Sequence, residues 1–217
     1  SVLNQNSNFP YVVLDEISNL ITDGTHKTPE YKDRGIPFLR VTDLTNSNDS
    51  KKYISKEEHQ ELIKRCNPEK GDILYSKNGT IGVAKMIDWE YEFSIFVSLA
   101  LIKPKRELIS PKYLEVLLNS EEALIRAKGF SKSGTVTNLH LIDIKRLQIP
   151  LPPLSIQEEI VAEIEGYQKI IDGAKMVVEN YKPKIDIDPD WEMVELGEVF
   201  SKVNDNVFPE ELTVKVV

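Results

Sequence analysis

The chain has 217 residues, 41% hydrophobic, 8% aromatic and 29% charged, with a formal net charge of −8 and a mean hydropathy of −0.30. That size supports one domain plus an appended element, or two small domains; the composition argues against fibrous and disordered classes, and no apolar run reaches the roughly 18 residues of a membrane span. One cysteine, Cys66, excludes an intrachain disulfide framework, and with three scattered histidines it leaves no zinc-ligand spacing, which fits a reducing, cytoplasmic setting.

Ser1 to Pro10 is polar and lacks the basic-then-apolar pattern of a leader. Thr22 to Thr28 follows as a polar loop, and Ile36 to Val41 reads as a strand, with Arg40 behind Phe38 and Leu39. Ser55-Lys56-Glu57-Glu58 has the form of a capping box and opens a helix to about Cys66. Asp72 to Ser76, Thr80 to Ile87 and Phe93 to Lys103 read as strands, the last from the alternation of Phe93, Ile95, Val97, Leu99 and Leu101. Ser110-Pro111 opens another helix to about Lys128, with a break at Asn119-Ser120. This mixture predicts an α+β fold.

A boundary falls near residue 150, where Ile149-Pro150-Leu151-Pro152-Pro153-Leu154 predicts an extended linker. The charge divides there too. Residues 1–150 hold 21 Lys and Arg against 20 Asp and Glu, whereas residues 151–217 hold 6 against 15, so the acidity belongs to the tail and the first part can still present a basic face. Ser155-Ile156-Gln157-Glu158 reads as a second capping box. Beyond it Ile160, Ile164, Tyr167, Ile171, Ala174, Val178 and Tyr181 recur at alternating spacings of four and three. A helix laid on its own domain would show a stripe of this kind, but this one is narrow, continuous and flanked by charges, which favours coiled-coil pairing. Gly166 and Gly173 inside it each cost about 1 kcal/mol relative to alanine, so the helix needs a partner to persist. It ends at Lys182-Pro183. The predicted organisation is a domain over 1–150, a spacer helix over 151–185 and the start of a second unit over 186–217. An internal echo supports the last: Phe9, Val12, Leu14, Glu16, Ile17, Ile21 and Asp23 match Trp191, Val194, Leu196, Glu198, Val199, Val203 and Asp205 at one constant offset.

Catalytic signatures are missing: there is no dinucleotide fingerprint, phosphate loop, nucleophile elbow or HExxH pair. Asp188-Pro189-Asp190-Trp191 is only loosely like the acidic-proline motifs of amino-methyltransferases and sits where the echo restarts. Three loops instead combine Gly, Thr, Ser and Asn with basic residues: Thr22 to Thr28, Tyr75 to Thr80, and Lys128 to Asn138. Ordinary turns have the same composition, but such side chains also supply donors for phosphates and partners for base edges. Lys27, Lys77 and Lys132 are the expected backbone contacts. His26, Asn78, Thr135 and Asn138 are the expected base readers, and Thr28, Arg40, Thr80 and Ser133 complete the candidate set.

The run from Gly71 to Gly82, then Gly134-Thr135 leading to Leu147-Gln148-Ile149-Pro150-Leu151-Pro152-Pro153-Leu154 with Gln157 and Ile160, resembles the target-recognition domain and conserved helix of type I restriction-modification specificity subunits. Trp191 to Val199, with Leu196-Gly197-Glu198, is similar to the opening of a further such unit. The resemblance implies two recognition domains separated by an antiparallel pair of long helices, each domain reading one half of a bipartite DNA site. It also implies methyltransferase subunits, which hold S-adenosylmethionine, docked on that scaffold, with restriction subunits as further partners. This chain departs from the pattern in holding one domain, one helix and the start of a second unit. A helix of roughly 40 Å, at about 1.5 Å per residue, is close to one turn of B-DNA, about 34 to 36 Å, so domains at its two ends could meet successive major grooves. The expected function is therefore non-catalytic sequence recognition. A coiled-coil interaction scaffold without DNA binding, and the specificity region of a fused methyltransferase-nuclease, are the alternatives.

Overall fold

The computed structural model describes residues 9–46, 52–130 and 138–181, with isolated positions between 190 and 198. Two compact units divide the chain, Ser1–Gly173 and Ala174–Val217. The first is α+β. In chain order its elements are β1 (Tyr11–Val13), β2 (Ser18–Asp23), β3 (Ile36–Leu39), α1 (Val41–Asn46), β4 (Tyr53–Ile54), α2 (Lys56–Ile63), β5 (Ile73–Ser76), β6 (Ala84–Met86), β7 (Ser94–Ile95), β8 (Leu99–Pro104), α3 (Pro111–Leu118), α4 (Glu121–Phe130), α5 (Leu141–Lys145) and β9 (Gln148–Pro150). The last helix, α6 (Leu154–Asn180), runs on into the second unit, of which little else is described. The echo's second copy lies mostly outside the described residues, whereas its first copy supplies β1 and β2 and the buried Leu14, Ile17 and Ile21.

An antiparallel sheet in the order β2-β8-β5-β6 divides two cores. Because successive residues of a strand face opposite ways, Ile73, Tyr75, Ala100 and Ile102 join a core with Leu14, Ile17 and the α3 residues Tyr113, Leu114 and Leu118. Leu74, Leu99 and Leu101 point into the other, with Leu39, Cys66, Ile87, Phe93 and Ile95. Strands buried on both faces lose the apolar-polar alternation of a half-exposed sheet. The free edge at β6 is closed by side chains of α3 and its C-cap: Asn119 Oδ1 accepts from Ala84 N at 2.9 Å while its Nδ2 donates to Ala84 O at 2.9 Å, and Glu115 accepts from Met86 N at 2.9 Å.

Several expected elements stand. Ser55 caps α2, accepting from Glu58 N at 3.1 Å, and Asn119-Ser120 separates α3 from α4. Others are corrected. Phe93 to Lys103 is two strands, because Leu99 N turns back onto Phe96 O at 2.9 Å and sends β7 to pair parallel with β3 while β8 enters the larger sheet. Thr80 to Ile87 is a strand only over β6, since Ser76 engages Val83 and Gly82 across a turn. Val41 opens α1 rather than ending a strand, because Asp43 Oδ2 takes the Arg40 N–H at 2.8 Å.

The expected linker is partly β9, paired antiparallel with β1 from Tyr11↔Pro150 to Val13↔Gln148, so the segment is tied back to the start of the domain. Ser155 is not a cap. It lies within the first turn of α6, where the Pro153 carbonyl accepts from Ile156 N at 2.9 Å and Gln157 N at 3.1 Å. Gln157 does the anchoring. It is fully buried, accepts from Ser110 N at 2.8 Å, and donates to Leu108 O at 3.0 Å and Pro152 O at 2.8 Å. Ile160 and Val161 pack on the first core, Ile164 is half-buried, and Tyr167, Ile171, Ala174, Val178 and Tyr181 are exposed together with Ile170 and Val177. Of the residues assigned to a helix seam, only the first two are covered by the domain.

Gln157→Leu fills similar volume but leaves one amide and two carbonyls without partners, at about 1 to 3 kcal/mol for each group that stays dry. The expected outcome is a stability loss of about 3 kcal/mol, measured by urea unfolding. Hydrogen exchange should accelerate in the first turns of α6 ahead of the sheet.

His59, buried on α2 with Nδ1 2.9 Å from Ser94 Oγ, yields a second expectation. Burial lowers its pKa from the ordinary 6.5, against a smaller opposing effect of Glu92. As pH falls below that ordinary value the unfolded chain takes up the proton first. The stability that a neutral His59 contributes is complete above it and is lost as pH drops through the lower folded-state value. Urea midpoints taken from about pH 7.5 down to about pH 5 should fall less in His59→Gln than in the parent chain.

Candidate nucleic-acid interface

The first polar loop leaves β2 at Asp23 and is strapped to the turn between β7 and β8. Gly24 N donates to Leu99 O at 3.2 Å, Thr25 N to Ile95 O at 3.1 Å, and Val97 N to Thr25 O at 3.0 Å. Only glycine fits at 24, because a Cβ there would lie 2.1 Å from the Ile95 carbonyl oxygen. The Thr25 hydroxyl then closes a small turn, exchanging hydrogen bonds with the Lys27 backbone at 3.2 Å. The result is that His26, Lys27 and Thr28 are held out into solvent on a tethered backbone.

The second loop leaves β5, and Lys77 binds it to both others. Its backbone N–H donates to Ser98 O at 3.0 Å and its carbonyl accepts from Leu139 N at 2.8 Å, at the end of the third loop. Its ammonium lies 3.3 Å from the Asp23 carboxylate of the first. Lys77 is thus an internal ion-pair partner, with a side chain only 7% exposed, and not the exposed loop cation its neighbours suggested. Asn78 forms an isolated antiparallel bridge with Asn138, and each has a buried Oδ1 without a hydrogen-bond partner among the described residues. Gly79 takes a φ of 76° at the tip, with Thr80 exposed beside it.

Asp23 is the hub of this end of the sheet. Its carboxylate, 5% exposed, meets Lys77, Arg65 Nη1 at 3.2 Å and His26 Nε2 at 3.3 Å. Arg65, just beyond α2, also donates from Nη2 to Asp23 O at 2.8 Å and Gly24 O at 2.6 Å. Between the first loop and α2 a cleft of about 440 Å³ opens, lined by His26, Lys27, Arg65, Ser94 and Cys66 among others. Burial pushes the Cys66 thiol up to about 12, so it lines the cleft as an un-ionised side chain and no nucleophile. Arg40 stands apart, its Nε 3.3 Å from Asp43 Oδ2. Lys132, Ser133 and Thr135 lie outside the described residues. Among the described residues no three His, Cys, Asp or Glu side chains come together as a metal site, and no helix is long and apolar enough to cross a membrane.

Residues 6–179 match the family model described as the type I restriction modification DNA specificity domain. This chain belongs to that family. Among curated relatives, S.HindORF215P of Haemophilus influenzae, named as a type I restriction enzyme specificity subunit, is 30% identical over 149 residues, which is 66% of this chain and 37% of that one. The EcoBI specificity subunit of Escherichia coli is 28% identical over 148 residues, covering 67% and 31%. This chain therefore spans about a third of the length of these relatives. The fold agrees with solved structures: an S subunit from M. genitalium gives a TM-score of 0.56 at 16% identity over 82% of this chain and 43% of that one. HsdS from Thermoanaerobacter tengcongensis gives 0.58 at 20% identity, over 82% and 41%.

Within the specificity domain, sequence reasoning found the loops and missed Asp23 and Arg65. Asp23 lay unremarked within the polar loop Thr22 to Thr28, and Arg65 near the end of the helix expected to about Cys66. No local pattern announces a guanidinium that reaches back some forty residues to bind another loop. Lys77→Met removes one buried cation and leaves Asp23 with Arg65. It should lower stability by about 2 kcal/mol in urea unfolding, and leave the salt dependence of any DNA binding unchanged because the ammonium does not face solvent.

Proposed function

We propose that this chain is the DNA target-recognition module of a type I restriction-modification system, reading one half of a bipartite site and directing methyltransferase and restriction subunits to it. The observation that carries the reading is the gathering of the described loop residues at one end of the sheet through Lys77, in a chain whose family is that of DNA specificity domains. Tethered backbones presenting His26, Lys27, Thr28 and Thr80 suit double-stranded DNA: the lysine for phosphates, the others for hydrogen bonds at base edges. The two unpartnered amide oxygens of Asn78 and Asn138 are acceptors suited to exocyclic amino groups of bases.

The recognition module works by binding, and methyl transfer belongs to the methyltransferase partner, which holds S-adenosylmethionine. In this reading α6 is the docking element, and the setting is the cytoplasm. Its exposed Tyr167, Ile170, Ile171, Val177, Val178 and Tyr181 form an apolar face wider than a strict two-position seam, which supports pairing with a helix of a second copy, or of a second repeat, and with the methyltransferase.

Methylation-site mapping with the cognate methyltransferase tests the function: sites should appear only when this chain is present, all sharing one half-site sequence. Asn78→Ala should cost about 1 to 3 kcal/mol on that half-site and much less on random DNA, and unchanged site preference would remove Asn78 from the interface. Ile171→Asp places a carboxylate on the apolar face and should weaken self-association or methyltransferase docking by several kcal/mol in sedimentation, with the domain's unfolding midpoint unaltered. Unchanged sedimentation would leave α6 without its docking role.

A further inference from the structure

We infer that Arg65 is a DNA-backbone contact, prepositioned by Asp23, and that a phosphate of the duplex enters the cleft between the first loop and α2. This rests on the DNA-recognition reading above and names a residue that reading does not include.

The charge balance is the first support. One carboxylate, Asp23, is shared by two cations, Lys77 and Arg65, with Lys77 buried and Arg65 just over half exposed. The cluster therefore keeps a positive charge on its solvent side, carried by Arg65, and Lys27 adds another at the cleft. Glu61, the acidic residue on the α2 wall, is engaged by Lys64 at 2.6 Å. An anion is the ligand that this surplus attracts.

Donor geometry then decides what sort of contact Arg65 makes. Nη2 donates to two carbonyls, Asp23 O and Gly24 O, and Nη1 gives one hydrogen to Asp23 Oδ1. Each parallel two-donor edge of a guanidinium includes an Nη2 hydrogen, so neither edge is open for the forked pairing that reads guanine. What remain without a partner among the described residues are Nε–H and one Nη1 hydrogen, single donors suited to a phosphate oxygen. The three existing bonds have already fixed the side chain. Its rotamer entropy is surrendered on folding and not on binding DNA, which is the benefit of preorganisation. The same bonds hold Arg65 against the backbone that carries His26 and Lys27, so a phosphate in the cleft would set the register of that loop on the duplex.

The test uses the chain assembled with its methyltransferase, with fluorescent duplexes carrying the cognate site or random sequence, titrated at several salt concentrations. Arg65→Gln should weaken binding about tenfold on both duplexes and lower the salt slope by about one unit. Arg65→Lys, which keeps the charge, should recover most of the slope. A distorted loop would behave differently, losing affinity on the cognate duplex while random DNA and the salt slope stay as in the parent. That pattern, or wild-type affinity and slope in Arg65→Gln, overturns the inference while leaving the DNA-recognition reading intact. If the parent complex itself fails to bind either duplex, the recognition reading fails and Arg65 with it.

Discussion

Asp23 stands at the end of β2 with its carboxylate almost wholly removed from water, a position tenable only while cations hold it. Lys77 comes from the loop after β5 and Arg65 from the chain after α2, so one charge draws three segments of backbone, its own among them, to the same end of the sheet. Surface ion pairs contribute little, but a buried carboxylate that loses a partner is costly, and that asymmetry makes the arrangement a constraint on loop geometry as well as a source of stability. The loops that carry His26, Lys27 and Thr80 owe their common placement to it.

The sheet supports this end by being covered on both faces. β5 and β8 each send alternate side chains into separate cores, so the strand ends from which Ser76 and Leu99 lead into the loops are fixed from both sides. Asn119 and Glu115 close the β6 edge with side-chain hydrogen bonds, so the edge does not offer itself as a pairing surface. The loops are thus mounted on strands fixed from both faces, whereas α6 projects from the frame. That helix is anchored at its start by Gln157 and leaves an apolar face uncovered along the rest of its length.

Much of this was legible in the sequence where the signal is local. The Ser55 cap, the break at Asn119-Ser120, the short apolar run of β5 and the length of α6 each follow from residues within a few positions of one another. The loops were recognisable by composition, and the family by an ordered set of motifs around Gly71 to Gly82 and Leu147 to Leu154. The pattern failed where a turn interrupts it. Phe93 to Lys103 alternates as one strand would, yet the Phe96–Leu99 turn sends its halves to different sheets.

By itself, then, the sequence determined the α+β class, the principal helices, the polar loops and the family, because capping, periodicity and motif spacing are properties of neighbouring residues. Tertiary structure alone decided that Lys77 is buried and Arg65 faces the cleft, although both are basic residues beside polar ones. It likewise decided that Gln157, and not Ser155, anchors α6. The reason is the same in each case: a polar side chain's role depends on whether water or a distant partner satisfies it, and the partners of Lys77, Arg65 and Gln157 lie some forty to sixty residues away in sequence for at least one of their bonds.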